Sequence, residues 1–372
     1  MKPSILFIMH VPPPVHGAAM VGKFIRESTK INAAFEADYI NLSTSTSLNE
    51  IGGAGAGKIL KLLKIQAGVV NALSRKNYDL CYVTLTASGP GFYKDLMVVG
   101  ILKMFGKKIV YHFHNKGVGF SGKSVFTDAL YRFVFNKSFS ILLSKSLYYD
   151  VKAYAPAENV FFCANGIPKS QLTSKAEKSD KDICRLLFLG NLMESKGMLV
   201  LLEACRIVKE QGYLFECNFV GGWTDITPEQ FYKKVSDFDL DGTVFAHGPK
   251  YDQDKRDFLS KSDVLVFPTF YHFEAFPLVV LEAMQSGLAV ISCPEGGVPD
   301  IVVEGETGYL VPQKNAAALA ERICYLIQNP SVRQDMGKAG QERFTQLFTI
   351  DSFEENICEI LTAAAVGNPV SI

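Results

Sequence analysis

Short apolar runs rich in β-branched residues alternate along this chain with longer segments whose apolar positions recur at helical spacing. SILFIM (4–9), LCYVTL (80–85), KIVYHF (108–113) and SILLS (140–144) form a first series of runs. RLLFLG (185–190), ECNFVG (216–221), TVFAHG (243–248), DVLVFP (263–268) and LAVISC (288–293) form a second. Apolar residues at consecutive positions mark strands covered on both faces, the condition of a parallel sheet. MLVLLEACRIVKEQG (198–212) and PLVVLEAMQSG (277–287) carry the helical period, and each stops at a glycine. The alternation predicts α/β layers around parallel sheets. PKSQLTSKAEKSDKD (168–182) is polar and lacks a period, so it is the expected linker. FTIDSFEENICEILTAAA (348–365) predicts a last amphipathic helix, beginning near Asp351 or Ser352. The expected organisation is therefore an N-terminal domain over 1–168, a second domain over 169–347, and a C-terminal helix over 348–372 packing back on the first.

Composition agrees with two domains: 372 residues, 48% hydrophobic and 20% charged, can build well-filled cores and argue against disorder. The eight cysteines are scattered, with no CxxC pair, which argues against a zinc ribbon, a thioredoxin-like site and a secreted disulfide framework. Reduced thiols and a cytoplasmic location are expected. The apolar run in MKPSILFIMHVPPP spans only about six residues with no small-residue cleavage site behind it, so it reads as a buried strand and not a signal peptide. No segment reaches the roughly 18 apolar residues that cross a bilayer, leaving at most peripheral contact with the cytoplasmic membrane. The zero net charge hides an asymmetry: residues 1–168 hold 19 Lys/Arg against 9 Asp/Glu, and residues 169–372 hold 19 against 29. The two halves are expected to meet different partners.

GGAGAGK (52–58) fills the first seven positions of a phosphate-loop pattern. That loop needs a strand before it and Ser or Thr after the lysine to hold magnesium. Here a polar STSTSLNEI precedes it and Ile59 follows Lys58, so a first-domain loop that touches the acceptor is expected instead.

The chemistry is written in FPTFYHFEAFPLVVLEAMQSG (267–287). A strand ends at Phe267–Pro268 and a helix begins near Pro277, whose ring suits a first helical position. The unpaired N–H groups and partial positive charge of a helix start favour an anionic diphosphate. Glu274 precedes the helix and Glu282 lies within it; their spacing corresponds to up to roughly 12 Å along a helix axis. That span suits a nucleotide sugar, with a carboxylate to accept hydroxyls at each end. Glu282 interrupts the apolar stripe of Leu278, Val279, Leu281 and Met284, so it is expected to face a polar partner. In RLLFLGNLMESKGMLVLLEA (185–204) a strand runs into Gly190, and a loop with Lys196 and Gly197 leads into a helix. Glycines there let phosphate oxygens approach the backbone, and the lysine offsets their charge.

These segments resemble glycosyltransferase family 4, the retaining enzymes of GT-B architecture. The most specific element is Glu, seven residues, Glu within EAFPLVVLEAMQSGLAVIS, joined by GNLMESKG upstream and GGVPDIVVEGETGYLV (296–311) downstream. The resemblance implies two Rossmann-like α/β domains facing across a cleft. It implies that Glu282 holds the donor ribose, and that Glu274 with the Ala275–Phe276 backbone faces the donor sugar and its phosphates. Lys196 binds the diphosphate, and His247 to Tyr251, including Lys250, line the base pocket. In the first domain Gly17, within VPPPVHGAAM (11–20), approaches the donor phosphates or the acceptor. His114 contacts the transferred sugar, with His112 the alternative two residues earlier. NGIP (165–168) enters the hinge. One position departs from the family: Asn191 stands where an arginine often pairs with the lysine on the diphosphate.

The resemblance implies transfer with retention of anomeric configuration and no metal or cofactor, the nucleotide diphosphate sugar being a co-substrate. No Asp-x-Asp pair occurs in a plausible metal-ligating loop. Lys196 and the helix start stabilise the departing diphosphate. GKILKLLKIQAGVV (57–70) sets Lys58, Lys61 and Lys64 among aliphatic residues, and FSGKSVFTDALYRFVFNKS (120–138) mixes aromatics with Lys123, Arg132 and Lys137. Such segments suit anionic headgroups as well as packing on the first sheet. The expected acceptor is a glycan or lipid-linked glycan, as in bacterial surface polysaccharide assembly. Two rivals stay open: a sugar-nucleotide epimerase of the same architecture, and a non-catalytic sugar-nucleotide-binding protein. A nucleic-acid partner is not expected, because the basic residues are dispersed and no recognised module is present.

Overall fold

A computed structural model describes residues 2–14, 17–44, 56–122, 124–169 and 183–367. The chain forms two units: Met1–Gly166 with Ile350–Ile372, and Ile167–Thr349. Most of the polar 168–182 segment and residues 52–55 of the glycine-rich loop lie outside the described residues, as do Val15, His16 and Lys123.

The first unit holds β1 (Ser4–Met9), β2 (Glu36–Asn41), β3 (Leu80–Thr84), β4 (Ile109–His112), β5 (Phe139–Leu142) and β6 (Val160–Phe162). They form a six-stranded parallel sheet in the order β2-β1-β3-β4-β5-β6. Every residue of β1 is buried because it lies between two neighbours and is covered on both faces. The β2 edge strand, EADYIN, was not expected from its pattern; its residues stay partly or fully exposed, so it carries Glu36 and Asp38 without cost. β6 was also unexpected, and at three residues it is too short for a periodic signal.

The C-terminal helix Ile350–Val366 begins one residue before the expected start and belongs to this unit. Phe353, Ile357, Ile360, Leu361, Ala364 and Ala365 join the cluster formed by Ile5, Phe7, Leu80, Tyr82 and Val110.

The second unit holds β7 (Cys184–Leu189), β8 (Phe215–Val220), β9 (Val244–Ala246), β10 (Val264–Phe267), β11 (Ala289–Ser292) and β12 (Gly308–Leu310). The parallel order is β12-β11-β10-β7-β8-β9. β12, a three-residue edge strand, was not foreseen. The chain leaves β7 toward β8 and β9, then returns to β10 on the other side of β7. The topological switch point thus falls between β7 and β10, and ligands of open α/β sheets bind beyond the carboxyl ends of the strands at that place. All eight cysteines are free thiols.

Candidate functional site

The two loops at the switch point of the second unit are those that follow β7 and β10, and their backbones are closely braced. After β7, Gly190 has φ +143 and its N–H donates to the Val220 carbonyl at 3.0 Å. Leu192 bridges to Trp223, and Asp225 accepts the Glu194 N–H at 3.0 and 3.2 Å on its two oxygens. A single 3-10 turn, Glu194–Lys196, leads to Gly197 at φ +86 and the helix Met198–Glu210. A Cβ on Gly197 would run into the Pro268 carbonyl oxygen, so the first loop lies against the second at this residue. Asn191 is exposed at the loop's start.

After β10 the Phe270 N–H donates to the Ser195 carbonyl at 2.9 Å. This aligns the loops so that Lys196 Nζ donates to Glu274 Oε2. Glu274 is buried, and the ammonium also lies 4.7 Å from the Tyr271 ring centre and 5.5 Å from that of Phe267. Lys196 and Glu274 were expected to serve different parts of one donor; the structure joins them directly. The Ala275 carbonyl accepts the Gly297 N–H at 2.6 Å, and Gly296, at φ +56, leaves no space for a Cβ against the Glu274 carbonyl. Ala275 and Phe276 are buried, with the Phe276 ring 5.9 Å from that of Phe348. Helix Leu278–Gln285 then begins with Pro277 as its N-cap residue at φ −70, one position before the expected helical proline.

Glu282 faces a polar partner: Lys255 Nζ, from helix Asp252–Lys261, donates to its Oε1 at 2.7 Å. The other oxygen, Oε2, is buried and has no hydrogen-bond partner among the described residues. Tyr251 is the N-cap residue of the Lys255 helix and is exposed, with Lys250 beside it half-buried. His247 Nε2 lies 2.6 Å from Asn218 Oδ1; burial, then the nearby Lys250 charge, lowers its pKa. His247, Lys250 and Tyr251 therefore sit in the loop leading into helix Asp252–Lys261, whose Lys255 pairs with Glu282.

In the first unit Gly17 opens helix Gly17–Glu27, with open space where a Cβ would be. His114 lies two residues beyond β4 and is half-buried, its ring 4.2 Å from that of His112. His112 is fully enclosed, with Nδ1 2.6 Å from the Tyr82 hydroxyl. Burial, then the neighbouring His114, holds its pKa well below the usual range. Of the pair, His114 is the residue with exposed surface.

Sequence reasoning missed Lys255 and Asp225. Lys255 is one of several charges in DQDKRDFLSK, and nothing in that string distinguishes it; only the fold brings it to Glu282. Asp225 follows β8 and reaches the β7 loop by a similarly non-local route. Glu295, buried, was also missed: it accepts the Gly296 N–H at 3.0 Å and the Gln313 amide at 2.7 Å, bracing the turn behind Glu274.

The second unit is thus a doubly wound α/β domain with glycine-shaped loops, a lysine and a glutamate at its switch point, the place where open α/β sheets receive their ligands. Residues 170–343, which fall in the second unit, match the family described as glycosyl transferases group 1. The amylovoran biosynthesis glycosyltransferase AmsK of Erwinia amylovora is 31% identical over 177 residues, 46% of this chain and 43% of that protein. The capsular polysaccharide biosynthesis glycosyltransferase CapM of Staphylococcus aureus is 26% identical over 212 residues, 56% of this chain and 53% of its own. The chain thus spans about half the length of the curated relatives it matches. Anabaena Alr3699/HepE, solved in complex with UDP, shares the fold with a TM-score of 0.74 at 18% identity, over 97% of this chain and 100% of its own.

Proposed function

We propose that this protein is a retaining glycosyltransferase that moves a sugar from a nucleotide diphosphate donor to a glycan or lipid-linked glycan in bacterial surface polysaccharide synthesis. The observation that carries the reading is the Lys196–Glu274 pair at the switch point, with Glu282 eight residues on presenting an unpartnered oxygen. Lys196 is the cation for the donor diphosphate, with the start of helix Leu278–Gln285 and the Ala275–Phe276 backbone beside it. Charge on the leaving diphosphate is the largest that develops, so a pre-placed ammonium favours the transition state over the ground state. When the diphosphate takes up Lys196, Glu274 is released to accept hydroxyls of the sugar. Glu282 receives the ribose, and the Lys250–Tyr251 loop the base. From the first unit, His114 meets the transferred sugar and Gly17 the donor phosphates or acceptor.

The relatives' roles in amylovoran and capsule synthesis, and the UDP complex of the structural neighbour, support this donor and acceptor class. We propose that transfer needs no metal and occurs in the cytoplasm, with peripheral contact at the membrane. A thermal-shift panel of UDP-, GDP- and ADP-sugars tests the donor: one class should raise the unfolding midpoint selectively. Transfer in the presence of EDTA, with the α or β anomer of the product read by NMR, tests the rest. An inverted anomer refutes retention, and an altered sugar nucleotide formed without acceptor establishes the epimerase rival.

A further inference from the structure

The chain's own geometry adds a residue to the donor site that neither the spacing of the glutamates nor the loop glycines include. We infer that Lys255 is the positioning residue for Glu282, and that the pair sets selectivity for a ribose over a deoxyribose nucleotide. The inference rests on the proposed donor site and deepens it.

A carboxylate on a short helix can rotate about its side-chain torsions, and a free carboxylate presents either oxygen to a ligand. Here Lys255 Nζ donates to Oε1 at 2.7 Å, which fixes the plane of the carboxylate and leaves Oε2 as the acceptor for an incoming hydroxyl. Oε2 is buried without a partner among the described residues, so water solvates it poorly and a hydroxyl donor is the group it lacks. The supporting helix is a separate element from the loops that carry Lys196 and Glu274. It follows Tyr251, and its one buried residue is Leu259. The cation can therefore act on the ribose end without contributing to the diphosphate end, where Lys196 is already committed to Glu274. Unlike the fully buried Asp95, which also has an oxygen without a hydrogen-bond partner, the Glu282 side chain keeps 20% of its surface exposed, so a ligand can reach it.

The test uses isothermal titration of the full chain with UDP, GDP and ADP, each against its 2′-deoxy and 3′-deoxy counterpart. Wild-type protein should favour one ribonucleotide over at least one deoxy form by about tenfold or more, the worth of one charge-assisted hydrogen bond. Lys255→Met should bring that ratio to within about twofold while Lys255→Arg largely restores it, since arginine also donates to Oε1. Unliganded unfolding midpoints report folding separately. If the ratio persists in Lys255→Met, the positioning role is overturned and the donor reading stands. If wild-type protein binds none of these nucleotides, the donor reading itself falls, and the inference with it.

Discussion

Lys196 and Gly197 are adjacent in sequence and make opposite demands on the switch-point loops. Lys196 satisfies the buried Glu274 carboxylate. Lys196→Met should leave that charge without its cation, costing about 1–3 kcal/mol of stability, and, if Lys196 is the proposed leaving-group cation, should lower kcat by about 10²–10³. Lys196→Arg is expected to keep the fold and part of the activity. Urea unfolding and steady-state transfer read the two effects apart. Gly197 is required for shape alone: its φ of +86 and the Pro268 carbonyl against it exclude any side chain. Gly197→Ala should destabilise the second unit by more than the roughly 1 kcal/mol of a simple glycine-to-alanine mismatch, whereas Gly17→Ala, with open space around it, should leave the unfolding midpoint unchanged.

Among the elements, β4 and the C-terminal helix carry the first unit's sharpest dependences. His112 on β4 is neutral in the folded state because burial, reinforced by His114, lowers its pKa. In the unfolded chain it titrates near pH 6.5. Protonation thus favours unfolding: the stability from neutral His112 is complete above about pH 6.5 and declines as pH falls below it. His247, shifted in the same direction, adds to the slope. Urea midpoints should fall between pH 7.5 and 5.5, at up to about 1.4 kcal/mol per pH unit per histidine, and His112→Gln should flatten the profile. Leu361 on helix Ile350–Val366 is fully enclosed against the first sheet. Leu361→Ala should cost about 2–5 kcal/mol, seen as faster amide exchange in β1 and β3 with little change in β7 and β10. Eight of the nine apolar runs were legible because each is a largely buried interior strand; the ninth, β9, is a three-residue edge strand with Phe245 exposed, found because it lies in the longer apolar run TVFAHG. β2, β6 and β12, also edge strands, lack such a run: β2 alternates with charged residues, and β6 and β12 are only three residues long. At the site, Glu274, Glu282 and Lys196 could be read because local strand-loop-helix spacing carries them. That Lys196 meets Glu274, and Lys255 meets Glu282, depends on strand order, which no local string encodes.

For the whole molecule, charge and exposed apolar surface fall in the same unit. The four acids of the C-terminal helix, Asp351, Glu354, Glu355 and Glu359, belong to the first unit and reduce its excess of ten positive charges to six. Helix Ala56–Arg75 nonetheless exposes Ile59, Leu60 and Leu63 by 62%, 57% and 55%, beside the exposed Lys61 and Lys64. Val125 and Phe126, at the start of helix Val125–Phe135, are 90% and 67% exposed. No helix of the described residues is long and apolar enough to cross a membrane. Aliphatic side chains that protrude between lysines can instead enter the headgroup boundary while the ammonium groups meet anionic lipid, a contact worth about 1 kcal/mol per basic residue and weakened by salt. If the acceptor is the lipid-linked glycan proposed above, this contact would raise its local concentration. The protein should float with vesicles containing phosphatidylglycerol at low salt, release by about 0.5 M salt, and show little retention on phosphatidylcholine alone. A triple replacement of Ile59, Leu60 and Leu63 by glutamate should abolish flotation without lowering the unfolding midpoint, because these side chains are already in water. If wild-type protein fails to float at low salt, the membrane contact is refuted while the proposed donor chemistry of the second unit is untouched.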